Sequence, residues 1–146
     1  MKLIFCVHVA VTGLMTGIIW FVQMVHYPLF AAVGALAFAQ YESLHRTATS
    51  LLVGPLMLVE LGTGVLLLFG KPAGLPVWVP WTGLVLLGCI WGSTFFIQVP
   101  LHDQLLNGQE GIAIRRLVSS NWIRTIAWSL RLGVLMWGIW YIFPSR

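Results

Sequence analysis

Three of the chain's four histidines, His26, His45 and His102, lie near the ends of long apolar stretches. Each comes from a different stretch, and in membrane helices the three imidazoles would leave the hydrocarbon at about the same level. Neutral imidazole is the commonest protein ligand of metals. The pattern therefore predicts that the rings bind one transition metal (copper, iron or zinc), or that two of them flank the iron of haem b. The alternative is that each ring only makes hydrogen bonds at the membrane interface.

Each of these histidines also has a polar neighbour that could orient its ring. The pairs are Gln23 with His26, Glu42 with His45, and Gln98 or Asp103 with His102. A hydrogen bond to the second ring nitrogen fixes the tautomer of a ligating histidine. Tyr41 belongs to the same polar group near one membrane face. We therefore expect Gln23, Gln98 and Tyr41 to contact a bound cofactor.

The last apolar stretch carries an arginine beside the same group. Arg124 follows Asn121 by three residues, so the two share one helix face. A guanidinium so placed either pairs with Glu42 or holds an anionic or carbonyl-bearing ligand. We expect Arg124 and Asn121 to contact a lipophilic substrate such as a quinone or another aromatic molecule, with Glu42 as the acidic member of a catalytic set.

Two further charged residues, Glu60 and Arg131, lie much deeper. They are about 13 and about 14 residues from the same ends of their stretches, which is roughly 20 Å of helix. A lone charge at that depth is costly. The sequence therefore predicts that Glu60 and Arg131 form an ion pair, either as a structural contact or as part of a proton or ligand relay.

The composition shows which elements must position these residues. Of 146 residues 59% are hydrophobic and 8% charged, with a mean hydropathy of +0.91, which excludes an ordinary soluble domain. Four apolar stretches, at about 3–25, 47–70, 77–101 and 117–143, each reach the roughly 20 residues that cross a bilayer. Backbone groups in lipid must bond within their own segment. We predict an all-α, integral membrane four-helix bundle.

The four stretches form one predicted transmembrane domain, residues 1–146, since no linker or repeat divides the chain. The first stretch is too long for a signal peptide and is followed by no A-x-A pattern, so we expect it to be a retained helix. Residues 29–46 follow Pro28 and favour a helix, which we predict to be interfacial, to lie between spans 1 and 2, and to run into the second span. Gly13-x-x-x-Gly17 and Gly88-x-x-x-Gly92 predict close helix packing.

Four spans place both termini on one membrane side, here called side A, together with the short 71–76 connection. Side B then holds the two longer connections. Side A carries Lys2, Lys71 and Arg146 without acids, whereas Arg46, Arg115 and Arg116 on side B lie among acids. The positive-inside rule favours cytoplasmic termini, and we expect a bacterial inner-membrane protein. No basic run or stacking platform indicates nucleic acid.

Two blocks of sequence carry a family likeness: Gln23-x-x-His26-Tyr27-Pro28 with Tyr41-x-x-x-His45, and Gln98-Val99-Pro100-Leu101-His102 followed by Asn121-Trp122-x-Arg124. They resemble a group of uncharacterised bacterial four-helix membrane proteins and, more distantly, the anthrone-oxygenase-like family. That resemblance implies oxidation of an aromatic or quinone-like substrate, with Asn121 and Arg124 at the matching positions. A looser likeness is to the haem-binding membrane protoporphyrinogen oxidases, whose Leu-Pro-Arg segment is replaced here by His26-Tyr27-Pro28-Leu29.

The leading hypothesis from the sequence is a small membrane protein, oxidoreductase-like or cofactor-binding, whose site opens towards side B and takes a lipophilic molecule. The competing hypothesis is a non-catalytic subunit of a larger membrane complex, in which the polar residues only join the helices. A homo-oligomer fits either hypothesis. A transporter is less expected because four spans show no repeat and no broken helix.

Overall fold

The computed structural model describes residues 1–142. Within them lie four helices, each long and apolar enough to cross a membrane: α1 (Lys2–Ala32), α2 (Ala35–Phe69), α3 (Trp78–Leu105) and α4 (Gly111–Ile142). The predicted all-α architecture of membrane-spanning helices is confirmed. The predicted end of the last span at Phe143 and the basic Arg146 lie outside the described residues.

The helices form an antiparallel bundle in which α1 packs on α2 and α4, and α3 packs on α4 and α2. The start of the chain and the connection after α2 meet at one end, since a Cβ at Gly70 would lie 3.3 Å from Cε of Met1. Gly74 in the same connection approaches the carbonyl oxygen of Tyr141, near the end of α4. These contacts bring the elements of side A together.

The segment between the first two spans agrees with the prediction in part. α1 ends in a 3-10 turn over Phe30–Ala32, and Val33 and Gly34 are extended. The next helix begins at Ala35 and continues without a break through Arg46 to Phe69. Residues 35–46 therefore run into the second span as predicted, whereas residues 30–34 do not belong to that helix. Their position at the lipid surface stays a prediction.

Two helices change their winding shortly before a proline. Val22–His26 in α1 and Thr94–Gln98 in α3 are π-helical turns, and each ends two residues before a proline, Pro28 or Pro100. Proline has no N–H to donate and its ring crowds the carbonyl four residues earlier, so the regular ladder cannot continue there. A π turn rotates the side chains beyond it relative to a regular helix, and such turns often lie at functional sites. Both turns here carry polar residues of the predicted site.

The bundle differs from a soluble protein in having an apolar outer surface and many polar side chains in its interior. Large apolar side chains such as Leu3, Phe69, Phe96 and Trp140 are exposed around the outside, where lipid would cover them. The interior contains an apolar core together with polar and charged side chains: His8, Thr12, Thr16, Gln23, Glu42, His45, Glu60, Ser93, Gln98, His102, Asn121, Arg124, Thr125 and Arg131. All four helices therefore direct polar side chains into the interior.

The glycine patterns do not join these helices as predicted. A Cβ added at Gly13, Gly17, Gly88 or Gly92 would meet nothing within 4 Å. The prediction that these glycines bring helices close together is therefore wrong for the four described helices of this chain. The close approaches occur elsewhere, at Gly64 against His8 and at Gly138 against Leu75.

Candidate functional site

A deep polar cluster forms around Glu60. Arg131 Nη1 donates to Glu60 Oε1, so the predicted ion pair is confirmed, and the side chain of Arg131 is 1% exposed and that of Glu60 0%. Thr12 Oγ1 donates to Oε1 over 2.8 Å, and Trp128 Nε1 donates to Oε2 over 3.0 Å. Every oxygen of the carboxylate thus has a donor, which is what a dry buried charge requires.

His8 belongs to this deep cluster, although the sequence argument had left it out. Its Nε2 lies 3.2 Å from Arg131 Nη2, and its Nδ1 lies 2.7 Å from Thr63 Oγ1. Because a guanidinium can only donate, Nε2 accepts and Nδ1 carries the proton. The available signal was helical spacing, since His8 and Thr12 lie four residues apart on one face.

The three predicted ligand histidines gather at side B. The ring centroids of His26 and His45 are 4.7 Å apart, and those of His45 and His102 are 5.3 Å apart. However, His26 Nε2 and His45 Nδ1 are joined by a 2.8 Å hydrogen bond. No group of three or more His, Cys, Asp or Glu side chains within residues 1–142 is arranged to hold a metal ion. This hydrogen bond occupies one ring nitrogen of His26 and one of His45, and binding of a metal or a haem by these rings stays a prediction.

The neighbours expected to orient these rings make other contacts. Gln23 donates to the carbonyl of Val118 over 3.1 Å, and Gln98 donates to Ser120 Oγ over 2.9 Å. Asp103 is ion-paired with Arg46 at 2.8 Å. The predicted pairings within single helices are therefore wrong, because partners on neighbouring helices are closer. Glu42 also turns away from His45 to His102 on α3.

A chain of hydrogen bonds instead connects Glu42 to Arg124 through two rings. Glu42 Oε1 lies 2.5 Å from His102 Nδ1, and His102 Nε2 lies 2.9 Å from the Tyr27 hydroxyl. Arg124 Nη2 donates to that hydroxyl over 3.3 Å. The predicted direct pair between Arg124 and Glu42 is therefore wrong, because His102 and Tyr27 lie between them.

Arg124 is held in place from behind. Its Nε and Nη2 both donate to Asn121 Oδ1, at 3.0 and 2.6 Å, and Nη1 donates to Thr94 Oγ1 at 3.4 Å. Asn121 Nδ2 in turn donates to Gln23 Oε1 over 2.9 Å. Asn121 and Gln23 thus fix the guanidinium instead of facing a ligand themselves. Such a buried support is what a preorganised binding group needs.

A cleft of about 280 Å³ lies next to this chain, between α2 and α3. Its polar lining is Tyr27, His45, Arg46, Thr49, Ser50, Thr94, Gln98, His102 and Arg124, and its other walls are Val53, Gly54, Met57, Trp91, Phe95 and Val99. Exposed residues of both helices, such as Ser50 and Phe95, line it, so its mouth is on the outer surface of the bundle. In a bilayer that surface would face lipid.

Only some of the predicted site residues line the cleft. His45, His102, Gln98 and Arg124 do, whereas His26, Glu42, Asn121, Gln23 and Tyr41 are not among its lining residues. The Tyr41 ring is stacked beside His45, with centroids 6.4 Å apart. Tyr27, Thr94 and Trp91 had no predicted role in the site. Tyr27 could have been found, because it lies four residues after Gln23 on the polar face of α1.

Two buried polar atoms of the cleft lining have no hydrogen-bond partner in the described chain: Gln98 Oε1 and Trp91 Nε1. Glu42 Oε2, behind the cleft, is also buried and has no hydrogen-bond partner in the described chain. Buried polar groups are normally satisfied, so unpaired ones lining a cavity indicate that a ligand supplies the missing partner. Such a ligand needs a hydrogen-bond acceptor for Trp91.

The cleft and the deep cluster are separate. Among residues 1–142 no side-chain hydrogen bond joins the group around Glu60 to the group around Arg124. Buried Ile19 lies between Thr16 and Gln23 on α1, and buried Ala127 lies between the two arginines on α4. An apolar layer thus divides the interior into two polar regions.

No protein-family model, no curated protein and no solved structure matches this chain.

Proposed function

We propose that the protein is a membrane oxidoreductase-like protein that binds a lipophilic, aromatic, carbonyl-bearing molecule of the quinone type in the cleft between α2 and α3. The observation that carries the proposal is the guanidinium of Arg124 at a cleft with apolar walls. Arginine donates several hydrogen bonds in a fixed geometry, which suits carbonyl and anionic oxygens. Ligand sites typically combine apolar walls with a few converging polar groups.

The shape of the cleft supports a lipophilic ligand. Its mouth lies on the surface that lipid would cover, and Val53, Met57 and Phe95 contribute apolar walls. Its volume of about 280 Å³ is near the lower end of the range for small-molecule sites, which is about 300–1,000 Å³. A one- or two-ring quinone head is of that size. Its tail would extend through the mouth into the bilayer. The likeness to the anthrone-oxygenase-like family points to the same substrate class.

The competing proposal, a non-catalytic subunit of a larger membrane complex, accounts for the deep cluster around Glu60, whose carboxylate oxygens all have donors. It does not account for the cleft, where Gln98 and Trp91 keep unpaired atoms. We further propose a bacterial inner-membrane location with cytoplasmic termini. A homo-oligomer remains compatible with this proposal.

The proposal is tested by binding of 1,4-naphthoquinone to the purified protein, followed by quenching of tryptophan fluorescence, since Trp91 lines the cleft. Gly54 also lines it, and a Cβ there would meet nothing within 4 Å, so Gly54→Leu should fold normally while filling the cleft. We expect this variant to weaken binding at least about tenfold, or about 1.4 kcal/mol.

Gly62→Leu is the matched control. Gly62 lies on the same helix and also has nothing within 4 Å of its Cβ position, but it is outside the cleft. It should bind the quinone like the unmodified protein. Equal binding by both variants, or no saturable binding by the unmodified protein, would contradict the proposed site.

A further inference from the structure

Arg124 differs from the other buried arginine in its partners. Arg131 is ion-paired with Glu60, and even the partly exposed Arg46 is ion-paired with Asp103. Arg124 is 7% exposed, yet all the hydrogen bonds of its guanidinium go to the neutral side chains of Asn121, Thr94 and Tyr27. No carboxylate of the described chain lies within ion-pair distance of it. A buried cation at a cleft without an adjacent anion favours a ligand that brings one.

The hydrogen-bond chain behind Arg124 has a direction. Because Arg124 can only donate, the Tyr27 oxygen accepts from it, and the hydroxyl proton is directed to His102 Nε2. His102 then carries its own proton on Nδ1 and donates it to Glu42 Oε1. Each group in the chain thus donates its hydrogen bond to the next group on the way to Glu42. A proton added at the cleft end could be passed along this chain, and the carboxylate of Glu42 would receive it.

Trp91 lines the cleft and carries a second donor, its indole Nε1. Its Nε1 is buried and has no partner among the described residues, and indole nitrogen can only donate. Arg124 and Trp91 therefore both favour a ligand oxygen with high electron density. An ionised hydroxyl meets this requirement better than a neutral carbonyl, because charge-assisted hydrogen bonds are about twice as strong.

We propose that the cleft takes an acidic aromatic hydroxyl compound, of the phenol or hydroxyquinone class, and binds it as the anion beside Arg124 with its proton transferred to Glu42. This rests on the proposed function of the cleft. The ligand O–H bond breaks and its proton goes to the Tyr27 oxygen. The Tyr27 proton moves to His102 Nε2, and the Nδ1 proton of His102 moves to Glu42. No electrons are exchanged, and the site keeps the same net charge.

The test uses 4-nitrophenol, whose anion absorbs visible light while the neutral phenol does not, with 4-nitroanisole as a probe of similar shape that cannot ionise. The purified protein is titrated in detergent at a pH where the free phenol is mostly neutral, with empty micelles as the blank. We expect bound 4-nitrophenol to show the phenolate band. We expect 4-nitroanisole to bind at least about tenfold more weakly, equivalent to about 1.4 kcal/mol.

Protons released on binding are counted in weak buffer. The unmodified protein should release close to none per bound phenol, because Glu42 keeps the proton. Glu42→Gln cannot take it up, so this variant should bind the phenolate and release about one proton. Arg124→Gln should lose the phenolate band. Arg115→Gln, a charge change at an exposed position of the same helix, should leave the band unchanged.

Several results would overturn the inference while leaving the proposed function intact. One is binding of 4-nitrophenol without the phenolate band although 1,4-naphthoquinone displaces it. Another is release of about one proton by the unmodified protein, which would exclude Glu42 as the acceptor. Should Arg124→Gln fail to fold, the comparison with 4-nitroanisole and the proton count of Glu42→Gln still decide the question. Absence of binding by the quinone itself would instead refute the proposed function.

Discussion

At the scale of single residues, Glu60 and Arg131 carry the largest expected contribution to stability. Both are almost fully buried, and they are joined to each other and to Thr12, Trp128 and His8. Removing one partner of a buried pair leaves the other charge uncompensated, at a cost of about 3–5 kcal/mol. We expect Glu60→Gln and Arg131→Met each to lower the free energy of unfolding in detergent by about that amount.

Glu110→Gln is the control for this experiment, because Glu110 is exposed in the connection before α4. It should change stability little, as most exposed substitutions do. Denaturant or thermal unfolding followed by circular dichroism gives the comparison. Wild-type stability of both Glu60→Gln and Arg131→Met would show that the ion pair is absent from the folded protein in solution.

The residue contacts show which parts of the site could be predicted. Depth and helical spacing were enough to pair Glu60 with Arg131, because few polar groups compete at that depth. Near side B many polar groups lie at one level, so spacing alone could not choose among them. Glu42 bonds to His102 on another helix instead of orienting His45 on its own. Partner choice there depends on the rotation of each helix, which the sequence does not state.

At the scale of elements, the connection between α2 and α3 depends on one glycine. Gly74 has a φ of +87°, and a Cβ there would lie 2.5 Å from the carbonyl oxygen of Tyr141. An alanine would be strained in its own backbone and would also collide with a backbone atom of α4. We expect Gly74→Ala to lower the thermal stability of the purified protein clearly, by more than the roughly 1–3 kcal/mol of a strained backbone alone.

Gly108 allows the cost of backbone strain to be measured apart from the cost of the collision with Tyr141. Its φ is +135°, but a Cβ there would meet nothing within 4 Å. Gly108→Ala should therefore show the cost of backbone strain alone and unfold at a higher temperature than Gly74→Ala. Equal melting temperatures for the two variants would mean that the approach to Tyr141 does not constrain this end of the bundle.

The helices themselves were predictable from apolar length, whereas their ends and internal winding were only partly so. The predicted helix before the second span begins at Ala35 and not at residue 29, and it forms one continuous helix with the span predicted from residue 47. The π turns at Val22–His26 and Thr94–Gln98 were not predicted. Pro28 and Pro100 were the available signals, since each must interrupt the ladder. The residues at the end of the turn in α1 differ in burial, since Tyr27 is buried and His26 only partly buried.

At the scale of the whole molecule, the basic residues predict the orientation in the membrane. Lys2 and Lys71 lie at side A, whereas the basic residues of side B lie among acids: Arg46 is paired with Asp103, and Arg115 and Arg116 follow Glu110. Basic residues near the ends of spans are retained in the cytoplasm. After replacement of Cys6 and Cys89 by serine, a cysteine introduced at Asn107 should react with a membrane-impermeant maleimide in intact cells, and one at Ala73 should not.

Permeabilised cells provide the control for that labelling, because both introduced cysteines should then react. Labelling at Ala73 but not at Asn107 in intact cells would reverse the orientation. It would leave the fold and the cleft as they are. The proposed site near side B would then open to the cytoplasmic half of the membrane.

The apolar layer between the two polar regions limits what the protein can do with a proton. A proton held on Glu42 has no hydrogen-bonded route, through the described residues, to His8 and the side A surface. It must return to the side from which it came. Binding and release of an acidic ligand would therefore move little charge through the membrane voltage. The equilibrium of ligand binding would therefore not depend on the membrane voltage. It would be the same in an energised cell and in a de-energised vesicle.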